Sequence, residues 1–506
     1  MRRSVVLFAV AAAYAAGAVL LGMSVIVFVG CGRNASPRAA AQLAPPASRP
    51  ILVTAPAKEI RSAAARANIL IVALDSARAD HFRCYGYPRE TTPNIDDLAR
   101  QSVLFENHFA DYPETLASIA SLFTGTYADT HESGKDNADY LTAVPWTLLG
   151  ALRAAGYRTA LFSAHPMVTR VLGDTHLFDT VSGNRLGVAA LGEERTFDPS
   201  SVVSAVSSWL DRRSASPFFA YVHLMPPHHP YAAPSEYSRL FAGEKPPAAW
   251  QGDYPFREIA RDERETGEMA PPPLDEWVNR YDASLRWGDW GVGELGKLLR
   301  DRKLLDKTIL IVSADHGEAF GEHGYIYHLF GVYDELLHIP LLIRLPGGSA
   351  RGRIQALTQT VDLAPTILDL LGMDAAGRSI QGHSLLPLIT GDNRQVHHAI
   401  FARAAGSPRS YLVRSQDWAL ILYEGAKLRA LYDLRTDPRE TRNAIDEQPK
   451  VAVQMVDTFR EFAIAQTARP LQFVDPSYRP RPRPKPRQRS LDDEMRRDLK
   501  ALGYLR

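Results

Sequence analysis

Short apolar runs rich in β-branched residues recur along most of this chain, separated by stretches whose apolar residues return every three or four positions. Asn68–Asp75 (NILIVALD), Thr159–Ser163 (TALFS), Phe218–His223 (FFAYVH), Thr308–Asp315 (TILIVSAD) and Leu341–Arg344 (LLIR) are the clearest such runs. They lack the polar alternation of a half-exposed strand, so each predicts a strand buried on both faces. Pro93–Val103, with Ile95, Leu98 and Ala99 on one side, and Asp275–Leu299, with aromatic and leucine spacing, predict amphipathic helices. The alternation predicts an α/β fold, a central sheet flanked by helices on both faces. Three of the five runs end in Asp or His, and ligands of open α/β sheets bind beyond the carboxyl ends of the strands.

Elsewhere the pattern changes character. From Tyr231 to Pro273 the chain is rich in Pro, Gly and charge, which predicts a long loop near the site. Beyond Leu371, short strands around Ala399–Phe401, Tyr411–Arg414 and Trp418–Tyr423 predict a smaller antiparallel sheet. At the other end, Val5–Gly30 is apolar for long enough to cross a bilayer behind Arg2 and Arg3, while Phe28–Cys31 also has the form of a lipoprotein cleavage box. Either reading tethers the protein to a membrane outside the cytoplasm, by a transmembrane helix or a lipidated Cys31. The expected organisation is an anchor or signal over 1–31, an Ala/Pro-rich linker over 32–66, a catalytic domain over 67–375, a C-terminal subdomain over 376–475, and a Pro/Arg-rich strap with a terminal helix over 476–506.

Composition narrows the partners. A formal net charge of +1 on 506 residues excludes general affinity for nucleic acid, which needs a clear cationic surplus. Two cysteines, Cys31 and Cys84, are too few for a disulfide framework or a thiolate zinc site.

Four constellations carry chemistry. Asp75 at one strand end and Asp315-His316 at another offer oxygen and imidazole donors suited to a divalent ion such as Mn²⁺, Zn²⁺, Mg²⁺ or Ca²⁺. Thr115 stands at the expected N-cap of a helix on which Leu116, Ile119, Ala120 and Phe123 are spaced, where free N–H groups would favour an anionic ester. His223, His228 and His229 cluster around prolines after a buried strand, placed to bind an oxyanion or to protonate a leaving group. His323 and His328 follow the Asp315 strand closely enough to fold back over a metal.

In this order, these segments resemble the sulfatase family of the alkaline phosphatase superfamily, from Asn68 to about Asn443. The matching landmarks are Leu74–His81, Thr92–Asp96, Thr115–Gly125, His223 with Pro227-His228, Asp315–Glu318, Tyr333–Leu337, Val361–Thr366, Gly382–Leu385 and Leu431–Glu440. The resemblance implies an alkaline-phosphatase-like central mixed sheet with a smaller C-terminal antiparallel-sheet subdomain. It implies that Asp75, Asp315 and His316 hold one divalent metal with Thr115 as nucleophile and fourth ligand. His228 and His328 would contact the ester or leaving group, with His223 beside them. In a two-metal variant, His223 or His323 would serve a second ion.

One departure matters for the reaction. The formylglycine-dependent members of that family carry Cys or Ser in a Cys/Ser-x-Pro-Ser-Arg motif, matured to formylglycine, whereas the aligned residues here are Thr115, Ala117, Ser118 and Ile119. Threonine cannot yield that aldehyde, so the sequence points to a Thr-nucleophile branch and favours phosphate over sulfate esters. Ser76 also replaces a second Asp, which removes a carboxylate from the expected metal site and makes it less suited to Ca²⁺. The expected activity is hydrolysis of an anionic ester, either a small molecule or an envelope glycan or lipid. The alternatives are transfer of a phospho-headgroup to such an acceptor, and a catalytically silent envelope-binding homologue.

Overall fold

The structure, a computed structural model, describes residues 52–132, 146–165, 167–172, 177–183, 198–212, 215–245, 274–324, 326–328, 330–375, 379–405, 409–423 and 427–468. All lie within one compact unit, Ser48–Arg506. The predicted anchor, most of the linker, and the strap with its terminal helix fall outside the described residues, among which no helix is long and apolar enough to cross a membrane.

Eight strands form the central sheet: β1 (Asn68–Leu74), β2 (Val103–Phe109), β3 (Arg158–Ser163), β4 (Thr180–Ser182), β5 (Phe218–Leu224), β6 (Thr308–Ala314), and, after a small β7 (Ala319–Phe320) and β8 (Ile326–Tyr327) hairpin, β9 (Leu341–Arg344) and β10 (Gly352–Gln359). Their order is β10-β2-β9-β6-β1-β5-β3-β4. Strands β4, β3, β5, β1 and β6 run parallel, and β9 runs antiparallel to both β6 and β2, so the sheet is mixed. All five predicted runs are strands. Every residue of β1, β5 and β6 is buried, as uninterrupted apolar sequence requires in a sheet covered on both faces.

The register positions the site. Leu74 pairs with Leu224 on one side and Ala314 on the other, so Asp75 and Asp315 leave the sheet level with one another. His223 pairs with Ala73 and with Ser163, one step inside the same edge. The 28-residue helix Leu274–Asp301 covers this region, buried through Tyr281, Asp282, Leu285, Leu295 and Leu299. Its Asp282 accepts hydrogen bonds from Tyr87 (2.8 Å) and Arg89 (2.7 Å) and meets His81 at 2.7 Å, tying the helix to the loop after β1.

A second, antiparallel sheet follows, made of β11 (Ile400–Ala404), β12 (Ser410–Arg414), β13 (Trp418–Tyr423) and β14 (Lys427–Asp433). The helix Pro449–Ala468 packs on it, Phe462 stacking on Phe401 at 3.8 Å between centroids. Neither β14 nor this helix was expected from the sequence.

Three boundaries differ from the sequence reading. The helix expected over Pro93–Val103 ends at Ala99, because Val103 opens β2, an element whose Glu106, Asn107 and His108 hide its strand character. The excursion after Tyr231 is not all loop, since Ser235–Phe241 is a helix that buries Phe241. Part of the predicted linker is also structured: Ala57–Ala64 is a helix that buries Ile60 and Ala64, and its Arg61 donates to Asp369 at 2.6 and 2.9 Å.

Candidate active site

Asp75, Thr115, His223, His228, Asp315, His316 and His328 all converge beyond the carboxyl ends of β5, β1 and β6, and all are buried. Backbone and side-chain donors fix the two carboxylates. Asp315 Oδ1 accepts from the backbone N–H groups of Ser76 (3.1 Å) and His316 (2.9 Å), and Asp75 Oδ1 accepts from Ser76 Oγ at 3.1 Å. Ser76 does this from a left-handed conformation, φ 61°. Asp75 Oδ2 finds no hydrogen-bond donor among the described residues, an orphaned oxygen in a fully buried setting.

Two imidazoles bracket the carboxylates. His223 Nε2 lies 3.5 Å from Asp75 Oδ2 and 3.5 Å from Asp315 Oδ2, while His316 Nε2 lies 3.6 Å from Asp315 Oδ2 and 3.9 Å from Asp75 Oδ1. The His316 Nδ1–H donates to the Gly317 carbonyl at 2.9 Å, which leaves Nε2 its lone pair, 3.2 Å from Thr115 Oγ1. Gly317 is obligatory here, because a Cβ would meet the Glu335 carbonyl oxygen at 2.1 Å. Burial and the neighbouring Asp315 charge raise Asp75 well above the usual carboxylate range, whereas His316 and His223 hold Asp315 low despite its burial. Two buried carboxylates that cannot both ionise comfortably, with ligand atoms of Asp75, Asp315 and His223 all within 4.8 Å of one another, fit a divalent cation.

Thr115 opens the helix Thr115–Thr124, every residue of which is buried. Ser118 Oγ donates to the Asp315 carbonyl at 2.6 Å, locking the helix to the end of β6. The N-cap is Glu114 rather than Thr115, and its carboxylate accepts from the N–H groups of Leu116 (3.4 Å) and Ala117 (3.2 Å). Two of the donors expected to await an anion are therefore already used.

Around this centre stand more histidines than the sequence suggested. His228 donates from Nδ1 to the His229 carbonyl at 2.6 Å, and its ring lies 5.1 Å from that of His328, which lies 4.3 Å from that of His316. His328 Nδ1 and Glu318 Oε1 share a proton across 3.0 Å, and burial lifts the Glu318 carboxyl to about 8. His165, unremarked in the sequence, packs 5.9 Å from His223 and 6.2 Å from His228. Its backbone N–H reaches Ser163 Oγ, which in turn meets His223 Nδ1 at 3.2 Å, so the pair orients His223 from behind. Arg78 is buried too, donating to the Glu318 carbonyl (2.9 Å), Glu322 (2.8 Å) and Asp80 (3.0 Å), and it fastens the loop after β1 to the loop carrying His328. Arg78 and Glu318 sat in recognised motifs without an assigned role; for His165 the only signal was its place just after a buried strand.

His323 is turned to other partners than the Asp75 and Asp315 carboxylates. It stacks on Tyr333 at 3.8 Å, meets Glu335 through Nδ1 at 2.8 Å and donates from Nε2 to the Glu440 carbonyl at 3.0 Å, so no ring nitrogen remains for an ion. Burial opposes its charge, but Glu335 prevails and raises it to about 9. A raised histidine stabilises the fold fully below its unfolded value and loses that contribution as pH climbs through the folded one. Between pH 6.5 and about 9 this histidine's own contribution, up to about 3 kcal/mol of unfolding free energy, should therefore be lost. In His323→Gln this slope should flatten, and denaturant unfolding at both ends of the window checks it.

Comparisons with known proteins follow the same geometry. Residues 67–373 match the Sulfatase family, and residues 321–463 match the C-terminal family of N-sulphoglucosamine sulphohydrolase. The chain is 25% identical over 464 residues to the N-acetylglucosamine-6-O-sulfatase of Bacteroides thetaiotaomicron, covering 75% of this chain and 82% of that protein. It is 27% identical over 470 residues to the multifunctional alkaline phosphatase superfamily protein PehA of Trinickia caryophylli, covering 75% and 91%. Among solved structures, the phosphonate monoester hydrolase of Agrobacterium radiobacter superposes with a TM-score of 0.66 at 21% identity, covering 79% of this chain and 96% of that one. A protein solved with its substrate D-glucosamine-2-N,6-O-disulfate also reaches 0.66, at 21% identity, covering 80% and 99%. The chain belongs to the sulfatase family of the alkaline phosphatase superfamily, the hydrolases of sulfuric and phosphoric esters.

Proposed function

We propose that the chain is a metal-dependent hydrolase that uses Thr115 as its nucleophile and prefers phosphate esters, with a membrane-tethered site of action outside the cytoplasm. The observation that carries the reading is Thr115 Oγ1, 3.2 Å from His316 Nε2 at the rim of the buried Asp75/Asp315 pair. Asp75, Asp315, His316 and Thr115 would hold the ion. When bound, it neutralises charge on the ester and on the nucleophile. His223, 3.5 Å from both carboxylates, would be a further ligand for this ion or for a second one.

The chain's own residues account for the rest. The buried helix aims Oγ1 at the reacting centre. Thr115 attacks as the alkoxide, its proton lost to solvent before the ester enters. As the Oγ1–P bond forms and the ester O–P bond breaks, His328 gives a proton to the leaving oxygen, its ring held by Glu318, and His228 steadies a non-bridging oxygen. Water, surrendering a proton to the same histidine, then displaces Thr115 and releases phosphate. With two helix N–H groups already capped by Glu114, charge on the ester falls to the metal and the imidazoles.

The relatives act on different esters: one is named for a sulfated sugar, and one solved neighbour for a phosphonate. Parallel assays on an aryl sulfate, a phosphate monoester and a phosphodiester therefore decide the chemistry. Metal-dependent turnover of either phosphate is expected. Turnover of the sulfate alone would retire the phosphate preference.

Ser76 sets a further expectation. A left-handed position tolerates Asp, and Ser76→Asp adds a hard carboxylate beside Asp75. The ratio of Ca²⁺-supported to Mn²⁺-supported activity should rise by about tenfold in Ser76→Asp. An unchanged ratio would remove Ser76 from the determinants of metal choice.

A further inference from the structure

Away from the candidate active site, a second group of metal-ligating side chains meets at the far end of the Thr115–Thr124 helix. Gln381 and Gly382 donate their backbone N–H groups to the Gly125 carbonyl at 2.8 and 3.1 Å, just past the last turn, and this places the group about 15 Å along the helix from Thr115. Its members are Asp362, His383 and His397, whose ligand atoms lie within 4.8 Å of one another.

The backbone dictates the meeting. Asp362 is fully buried, and its Oδ2 accepts from the Gln359 N–H at 2.8 Å in a reciprocal cap of the Thr360–Asp362 3-10 turn, which leads into the Leu363–Leu370 helix. Its Oδ1 accepts from the His383 N–H at 2.8 Å, which fixes the root of the His383 side chain beside the carboxylate. Gly382 makes that approach possible, since a Cβ there would stand 2.0 Å from the Val361 carbonyl oxygen. From the other side His397, buried just before β11, brings Nε2 to 2.9 Å from both Asp362 oxygens.

A hydrogen or a metal ion must sit between an imidazole nitrogen and two carboxylate oxygens at that range, because a bare lone pair would face two others. A proton on Nε2 satisfies the pair, yet it gives no reason for a third donor. His383 supplies one: its ring meets that of His397 edge-on at 4.9 Å and 89°, and its side chain is exposed to solvent. Ligand atoms at about 2.1 Å from one tetrahedral ion stand about 3.4 Å apart, so His397 and Asp362, at 2.9 Å, would open by about 0.5 Å. His383, whose ligand atom lies no more than 4.8 Å from theirs, reaches the same ion by a small rotation of its exposed imidazole.

We propose that Asp362, His383 and His397 form a second, non-catalytic site for a borderline transition-metal ion such as Zn²⁺ or Co²⁺, open to water on the His383 side. Two imidazoles and one carboxylate select such ions over Mg²⁺ and Ca²⁺, which favour oxygen donors. The ion staples together three segments that are distant in sequence: the turn before the Leu363–Leu370 helix, the Gly382–Leu385 loop and the entry to the C-terminal sheet.

Cobalt(II) is the probe. The full chain is stripped of metal, equilibrated with Co²⁺ and dialysed, and its Co²⁺ content and visible absorbance are measured for the parent, His383→Ala and His397→Gln. The parent should retain one equivalent more than either variant, and ester hydrolysis by His383→Ala should match the parent. The extra equivalent should persist when the active-site carboxylates are removed in Asp75→Asn/Asp315→Asn, which separates this site from the catalytic one. His383 is exposed, so its truncation leaves the fold intact. Co²⁺ content unchanged by His383→Ala overturns the proposal, as does an equivalent lost in His397→Gln but kept in His383→Ala.

Discussion

Thr115→Ala should lower turnover of the preferred ester by about 10⁴-fold or more, because it removes the atom to which the transferred group would bind. The loss should fall on kcat, with metal content held near the parent's, since Asp75, Asp315 and His316 remain to bind the ion. The variant should also fold normally. Thr115 is N1 of its helix, the capping bonds come from Glu114, and Leu116, Ile119 and Phe123 supply the buried apolar surface, about 1.5–3 kcal/mol per side chain. Thr115→Ser keeps an Oγ and should recover much of the rate, with more rotamer freedom at the nucleophile. In the parent, rapid quenching should trap a phosphate on the tryptic peptide containing Thr115, absent from Thr115→Ala. Turnover surviving in Thr115→Ala would mean that water attacks directly and that Thr115 only lines the site.

The sheet was legible because its central strands are buried on both faces and cannot be written in anything but apolar residues. Asn68–Leu74 and Thr308–Ala314 admit one reading, and their polar terminators, Asp75 and Asp315, announced the site. The strands at one margin told less: β2, next to the edge, carries Glu106, Asn107 and His108, and the edge strand β10 alternates Arg353, Gln355 and Thr358 with apolar positions, so neither stood out. The excursion after Tyr231 hid a helix for the same reason, since one buried Phe241 is a weak period. Among site residues, those within a compact motif were found, whereas His165 acts through a contact with His223 that joins positions 58 apart in sequence, which no local pattern encodes. His323 shows the converse. Its spacing from Asp315 suggested a fold back over the metal, but the left-handed turn at His323, φ 54°, directs it to Glu335 and Glu440 instead.

Asp315→Asn should cost about 10³-fold or more in turnover while leaving the metal-free protein folded. The carboxylate lies between two imidazoles, 3.5 Å from His223 Nε2 and 3.6 Å from His316 Nε2, so its charge serves both sides of the proposed metal centre. An amide keeps the oxygen that accepts from Ser76 and His316, at 3.1 and 2.9 Å, and the backbone around it need not move. What changes is the field. Asp75 is held above its usual range by burial and by the Asp315 charge, and removing that charge lets Asp75 ionise at lower cost without a cation. The substitution therefore separates two effects that metal loss alone would confuse. In the stripped proteins the relief of Asp75 opposes the loss of the His316 and His223 contacts that hold Asp315 low, so the thermal midpoints should lie close together, whereas the upward shift produced by saturating Mn²⁺ or Zn²⁺ in the parent should shrink or vanish in Asp315→Asn. Equal metal-induced shifts in parent and variant would place the catalytic ion elsewhere, and a collapse of the stripped variant would show that Asp315 is held for the fold instead of for the ion.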